Sequence, residues 1–152
     1  MTGKTKHAQR LTNHLGFAID AACPVTRVGA AARQMSAGVG GAVGALVGSA
    51  MASRGRSATS DVQIGSAAWL ALGDGWFWIV KGDLFLGRPK GEPLAEVAYA
   101  EVANVELSTG KLAIRADIYL ADGRYIAFEA KRRGVNKLNG AVLEEFRTRC
   151  GW

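Results

Sequence analysis

Residues 111–130 read KLAIRADIYLADGRYIAFEA, and this stretch decides the fold class. Leu112, Ile114, Ala116, Ile118 and Leu120 alternate with Lys111, Ala113, Arg115, Asp117 and Tyr119. That period of two is the mark of a strand with one face buried. Asp122-Gly123 then supplies a tight hairpin turn, and Tyr125–Ala130 returns with Ile126, Phe128 and Ala130 inward. An antiparallel hairpin cannot stand alone in water, so neighbouring strands are required on either side.

Working upstream, Ala68–Leu72 and Trp76–Lys81 are apolar strand-like runs separated by Gly73-Asp74-Gly75. Leu84–Leu86 reads as a further short strand, and Gly87–Pro93 (GRPKGEP) as a polar loop carrying Arg88 and Lys90. Leu94–Val97 and Val102–Ser108 follow, joined by Ala98–Glu101 and closed by a Thr109-Gly110 turn. Downstream, the basic run Lys131-Arg132-Arg133 leads to Gly134, which opens a final helix with the stripe Val135, Leu138, Val142 and Phe146. Six or seven antiparallel strands and a C-terminal helix predict an α+β domain: a bent antiparallel sheet or barrel with the helix over one opening. Trp69, Trp76 and Trp78, among apolar neighbours, are expected in the core.

The first sixty residues have another character. Residues 5–22 place Ala8, Leu11, Leu15, Ala18, Ile19 and Ala22 at helical spacing, which predicts an amphipathic helix broken by Pro24. A second helix is expected from Val25 into residues 35–52 (MSAGVGGAVGALVGSAMA). There Ser36, Gly40, Gly44, Gly48 and Ala52 recur at every fourth position, the spacing that lets two helix backbones approach closely. This ridge resembles the glycine zippers of membrane-associated and self-assembling proteins, and it predicts oligomerisation or insertion. As a helix its 18 residues would measure about 27 Å, a borderline membrane span. Residues 53–66 read as a polar linker, which gives three parts: a helical segment over 1–52, the linker, and a β domain over 67–152.

Charge follows the same division. Of the net charge of +6, residues 1–60 hold seven basic side chains against Asp20 alone, while residues 61–152 hold twelve of each sign. Contacts with an anionic surface are therefore expected from Lys4, Lys6, Arg10, Arg27, Arg33, Arg54 and Arg56, with Arg88 and Lys90 on the β domain.

The chemical motifs exclude more than they include. Gly38, Gly40 and Gly44 miss dinucleotide-loop spacing, and no Walker-type lysine follows. Cys23 and Cys150, both in stretches that read as helical, form no metal motif; His7 and His14 read as exposed polar residues on the first helix. No catalytic constellation can be built, so neither enzyme activity, cofactor nor metal is expected, and nothing carries a nucleic-acid signature. An N-terminus without an apolar run behind its basic start is not a secretory signal; a cytoplasmic protein is expected, peripheral or integral at the inner face of the membrane.

Three segments carry a family resemblance: Trp69–Val80 (WLALGDGWFWIV), Leu94–Val105 (LAEVAYAEVANV) and Leu120–Glu129 (LADGRYIAFE). Over about residues 67–149 the chain resembles small bacterial pleckstrin-homology-like and GRAM-like domains. The resemblance implies a non-catalytic scaffold. Members of that superfold often hold phosphoinositide headgroups through basic residues in and beside the first hairpin loop; read as Gly73-Asp74-Gly75, that loop has an acid and no base, which argues against such binding here. The function expected is an interaction protein that self-associates or attaches to a membrane through its N-terminal helices and presents the β domain to a protein partner. The alternative is a small accessory subunit whose Gly/Ala helix packs within a larger assembly.

Overall fold

A computed structural model describes residues 3–29, 61–65, 67–83, 88–132 and 138–152. Helix α1 (Gly3–Leu15) precedes strand β1 (Ala21–Val25); β2 (Ala68–Leu72), β3 (Trp76–Gly82) and β4 (Pro89–Ala98) complete a four-stranded antiparallel sheet in the order β1-β2-β3-β4. A 3₁₀ turn at Tyr99–Glu101 leads to β5 (Val102–Thr109), β6 (Ala113–Leu120) and β7 (Tyr125–Lys131), which form a second antiparallel sheet in sequence order. Helix α2 (Leu138–Arg149) ends the fold. A single bridge, Thr26 to Glu129, ties the first sheet to the second at one corner.

The main core lies between the sheets. Leu70, Leu72, Phe77, Ile79 and Val97 of the first face Ile118, Ile126 and Phe128 of the second, and Val142, Leu143 and Phe146 of α2 close the opening. The Phe146 ring meets Phe77 edge-on, with centroids 4.7 Å apart, a favoured aromatic geometry. The hairpin of β6 and β7 forms as the alternation predicts, and Gly123 adopts the left-handed conformation that the turn needs (φ +94°).

A second apolar layer covers the outer face of the first sheet. Ala8 and Leu11 of α1 pack with Ile19 and Ala22 on Trp69, Ala71, Trp78 and Val80. Every residue of β2 is consequently buried. That explains why AWLAL reads as a continuous apolar run without alternation.

Several expectations are corrected. The first helix stops at Leu15 where it was expected to reach residue 22, and residues 21–25, with Cys23, form an edge strand across the expected junction of the two helices at Pro24. Small apolar residues there satisfy helical and strand spacing alike, and an edge strand tolerates Pro24. Because β1 pairs with β2 from Ala21↔Leu72 to Val25↔Ala68, no boundary near residue 67 separates an N-terminal segment from the β domain. The expected helical pair is represented by α1 alone among the described residues. The second helix, with Ser36, Gly40, Gly44, Gly48 and Ala52, lies outside them, as does the strand expected at Leu84–Leu86.

The loop expected at Gly87–Pro93 is instead β4 from Pro89 onward, an edge strand with two prolines and an irregular register against β3. In α2, Leu138 is exposed while Asn139, Val142, Leu143 and Phe146 are buried; Val135 lies outside the described residues. Trp76 is exposed, unlike Trp69 and Trp78. Among the described residues, no helix is long and apolar enough to cross a membrane.

Candidate anionic-surface interface

Antiparallel pairing decides which side chains meet at the ends of the first sheet. Val25 stands opposite Ala68, Ala68 opposite Lys81, and Gly82 opposite Pro89. The end of β1, the start of β2, the end of β3 and the start of β4 therefore share one end of the sheet. Arg27, Lys81, Arg88 and Lys90 gather there, all exposed. Helix α1 adds to them. The His14 ring, through Nε2, lies 2.7 Å from the Gly91 carbonyl oxygen and sets the last turn of α1 beside the first residues of β4. Arg10 and Lys6 are four and eight residues earlier, on the same helix face and exposed.

Six cations thus share this region with the carboxylates of Asp83, Glu92 and, beside Arg27, Glu129. None of the six forms an ion pair with another described residue. Their charge faces solvent, where it attracts an anionic surface over roughly a Debye length of 8–10 Å. Of the contacts expected from sequence, Lys6, Arg10, Arg27, Arg88 and Lys90 come together. The side chain of Lys4, and Arg33, Arg54 and Arg56, lie outside the described residues. Lys81 was missed: on a strand of apolar residues it reads as ordinary terminal punctuation, and only the register places it beside Arg88.

The same corner holds both ends of the long connection between β1 and β2. Thr26 and Glu129 exchange backbone hydrogen bonds of 2.8 Å, and the Gly29 amide donates to Glu129 Oε1 at 2.9 Å. On the return side, the Asp61 amide donates to the Tyr125 carbonyl, the Tyr125 amide to Asp61 Oδ2, each at 2.7 Å, and the Arg27 amide to Gly65 O at 3.1 Å. Of the residues expected in a polar linker, Asp61 is tied to β7 and Gly65 to Arg27. The Gly/Ala run therefore belongs to a connection between two paired strands, and is not a terminal tail. Gly73-Asp74-Gly75 joins β2 to β3, the second and third strands of the sheet.

Two further polar clusters are structural in geometry. On the outer face of the second sheet, the buried Asp117 carboxylate accepts from Arg115 Nε at 3.1–3.2 Å, Arg115 Nη2 at 3.0 Å and the Tyr125 hydroxyl. Burial, then the Asp117 carboxylate, push the Tyr125 phenol above its ordinary pKa, so it stays protonated and donating. At the opposite end of the first sheet, Arg149 Nη1 donates to Gly73 O (2.9 Å) and Asp20 Oδ2 (3.1 Å), and Nη2 to Glu145 (2.7 Å). Burial opposes the Arg149 charge, but hydrogen bonds to Tyr99, Glu145 and Asp20 outweigh it and hold the guanidinium protonated. Both clusters join elements together and leave no free nucleophile.

The histidines also depart from expectation. His14 is exposed but anchored on Gly91, while His7 is half-buried, its ring 4.8 Å from that of Trp69. Burial pushes the thiols of Cys23 and Cys150 up to about 12, so neither is a reactive thiolate at neutral pH. Among the described residues, no group of three His, Cys, Asp or Glu side chains is placed to hold a metal ion. No family model matches this chain, and no curated protein matches it.

Proposed function

We propose that this protein is a non-catalytic attachment module, a pleckstrin-homology-like scaffold that binds anionic membrane surfaces through the basic end of its first sheet. The fold part of the reading is supported by the sheet order: four antiparallel strands, then three, then one helix over the opening. The functional part is carried by one observation, the convergence of Lys6, Arg10, Arg27, Lys81, Arg88 and Lys90 from four elements onto one region where cations outnumber carboxylates.

Each basic side chain near an anionic bilayer contributes about 1 kcal/mol, so removing Arg88 and Lys90 together weakens partitioning by about thirtyfold. Co-sedimentation of the full chain with vesicles of phosphatidylcholine, with and without phosphatidylserine, tests this. Binding is expected only with the anionic lipid, falling with salt and with R88A/K90A. Equal binding to neutral vesicles, or an unchanged R88A/K90A, would remove the basic end from the mechanism.

A further inference from the structure

The contact between α1 and the first sheet is well packed but poorly satisfied. Beneath the helix, Nδ1 of His7 and Nε1 of Trp78 are buried with no hydrogen-bond partner. Both residues belong to this interface: Trp78 packs in its apolar cluster, and the His7 ring lies on Trp69, tilted by 51°. We propose that α1 is an acid-released latch, in which a second ring proton on His7 expels the helix from its seat on Trp69 and Trp78.

The chemistry follows from the two ring nitrogens. A neutral imidazole can keep its one proton on Nε2 and bury Nδ1 as a bare lone pair. An imidazolium carries a proton on both, and the Nδ1 donor would then point into a site without an acceptor. Burial of a charged, unpaired donor is costly. Cation–π attraction to Trp69 recovers a part of this, but the surrounding charges oppose it. Those acting on the ring are Arg10 and Lys6 of α1 itself, both positive, and together with burial they hold the ring below its ordinary pKa.

The strands beneath offer no relief. β1 and β2 carry no charged side chain, and β3 carries only Lys81. The carboxylates of the remaining packed elements, Glu92 and Glu96 on β4 and Glu144 and Glu145 on α2, do not figure among the charges that act on the ring, nor do Lys90, Arg147 and Arg149.

Little else keeps the helix folded by itself. It has 13 residues and no acidic residue in its first turn, a length at which an isolated helix is marginal. Among the described residues its other ties are Ala8, Leu11 and Leu15 in the apolar layer, the Thr12 hydroxyl accepting from the Ile19 amide, and His14 on Gly91.

The sign is fixed by linkage. Above pH 6.5 both docked and released helices hold a neutral ring. As pH falls through 6.5, the released form takes the proton first, and docking weakens until the docked ring also titrates. Each unit by which docking lowers the ring's pKa corresponds to about a tenfold loss of helix protection.

Hydrogen exchange of the full chain at pH 7.5 and pH 5, corrected for intrinsic rates, reads this directly. The amides of Leu11–Leu15 are expected to lose protection at pH 5 while β6 and β7 keep theirs, with tryptophan emission shifting in parallel. His7→Phe retains a ring on Trp69 and cannot charge, so its α1 is expected to remain protected at pH 5; His14→Phe is expected to keep the acid response. An NMR titration of the wild-type His7 ring is expected to give a pKa below 6.5. Persistent α1 protection at pH 5 in the wild type, an unchanged acid transition in both His7→Phe and His7→Gln, or a His7 pKa at or above 6.5 would each overturn the latch.

Discussion

A single added methyl group at Gly73 tests the packing of the first sheet. Gly73 follows β2, its amide donates to Trp76 O at 3.0 Å, and its carbonyl accepts from the Tyr99 hydroxyl and Arg149. Its backbone is not left-handed, so any penalty for alanine is steric. A β-carbon there would lie 2.7 Å from Cζ3 and 3.0 Å from Cη2 of Trp78, and 3.2 Å from the Ala18 carbonyl oxygen. The indole cannot simply retreat, because Trp78 is buried and Phe17 lies against it with ring centroids 4.5 Å apart.

Overpacking of this kind costs about 1–3 kcal/mol. For a chain of this size that corresponds to a Tm lower by roughly 2–4 °C per kcal/mol. Thermal unfolding followed by circular dichroism measures it for Gly73→Ala, Trp78→Phe and the double variant. Phenylalanine lacks the outer atoms that clash, so the two changes should couple, the double variant being more stable than the sum by about 1 kcal/mol or more. Unchanged Tm in Gly73→Ala, or strict additivity in the double variant, would refute the close approach of Trp78 to Gly73.

Two other outcomes are expected. Asp117→Ala leaves the Tyr125 hydroxyl without its acceptor and the Arg115 guanidinium with only the Tyr125 oxygen at 3.2 Å, and should destabilise the fold by about 2–3 kcal/mol, measured by urea unfolding; a loss below about 0.5 kcal/mol would show that the cluster is solvated. With both thiols pushed up to about 12, Cys23 and Cys150 should react with iodoacetamide at pH 8 at least a hundredfold more slowly in the native chain than in urea, and fast native labelling of either would place that thiol in an open site.

The hairpin of β6 and β7 was legible because both of its signals are local: alternation along each strand, and Asp122-Gly123 between them. The buried residues of α2 were legible in part, since Val142 and Phe146 mark the right face, although Leu138 stays in solvent. β1 was not legible. Ala21, Ala22 and Val25 suit either secondary structure, and what makes them a strand is the edge of β2 standing open more than forty residues later. The same holds for the clusters. Arg115 and Asp117 could have been paired from their two-residue spacing on one strand, but Tyr125 joins them only through the register Tyr119↔Tyr125. The expected surface cations were recognisable singly, and their convergence was not.

By itself, the sequence determined the α+β class, the antiparallel hairpins, the terminal helix and the excess of positive charge in the first sixty residues. Those are properties of neighbouring residues, set by side-chain period, turn chemistry and composition. Tertiary structure alone decided that the Gly/Ala run lies between two paired strands, that α1 closes an apolar layer over Trp69 and Trp78, and that Lys81, Arg88 and Lys90 stand with Arg27 at one end of a sheet. The physical reason is that pairing partners and covered faces depend on which edges and apolar surfaces remain unsatisfied after local structure forms. No window of the chain contains that information.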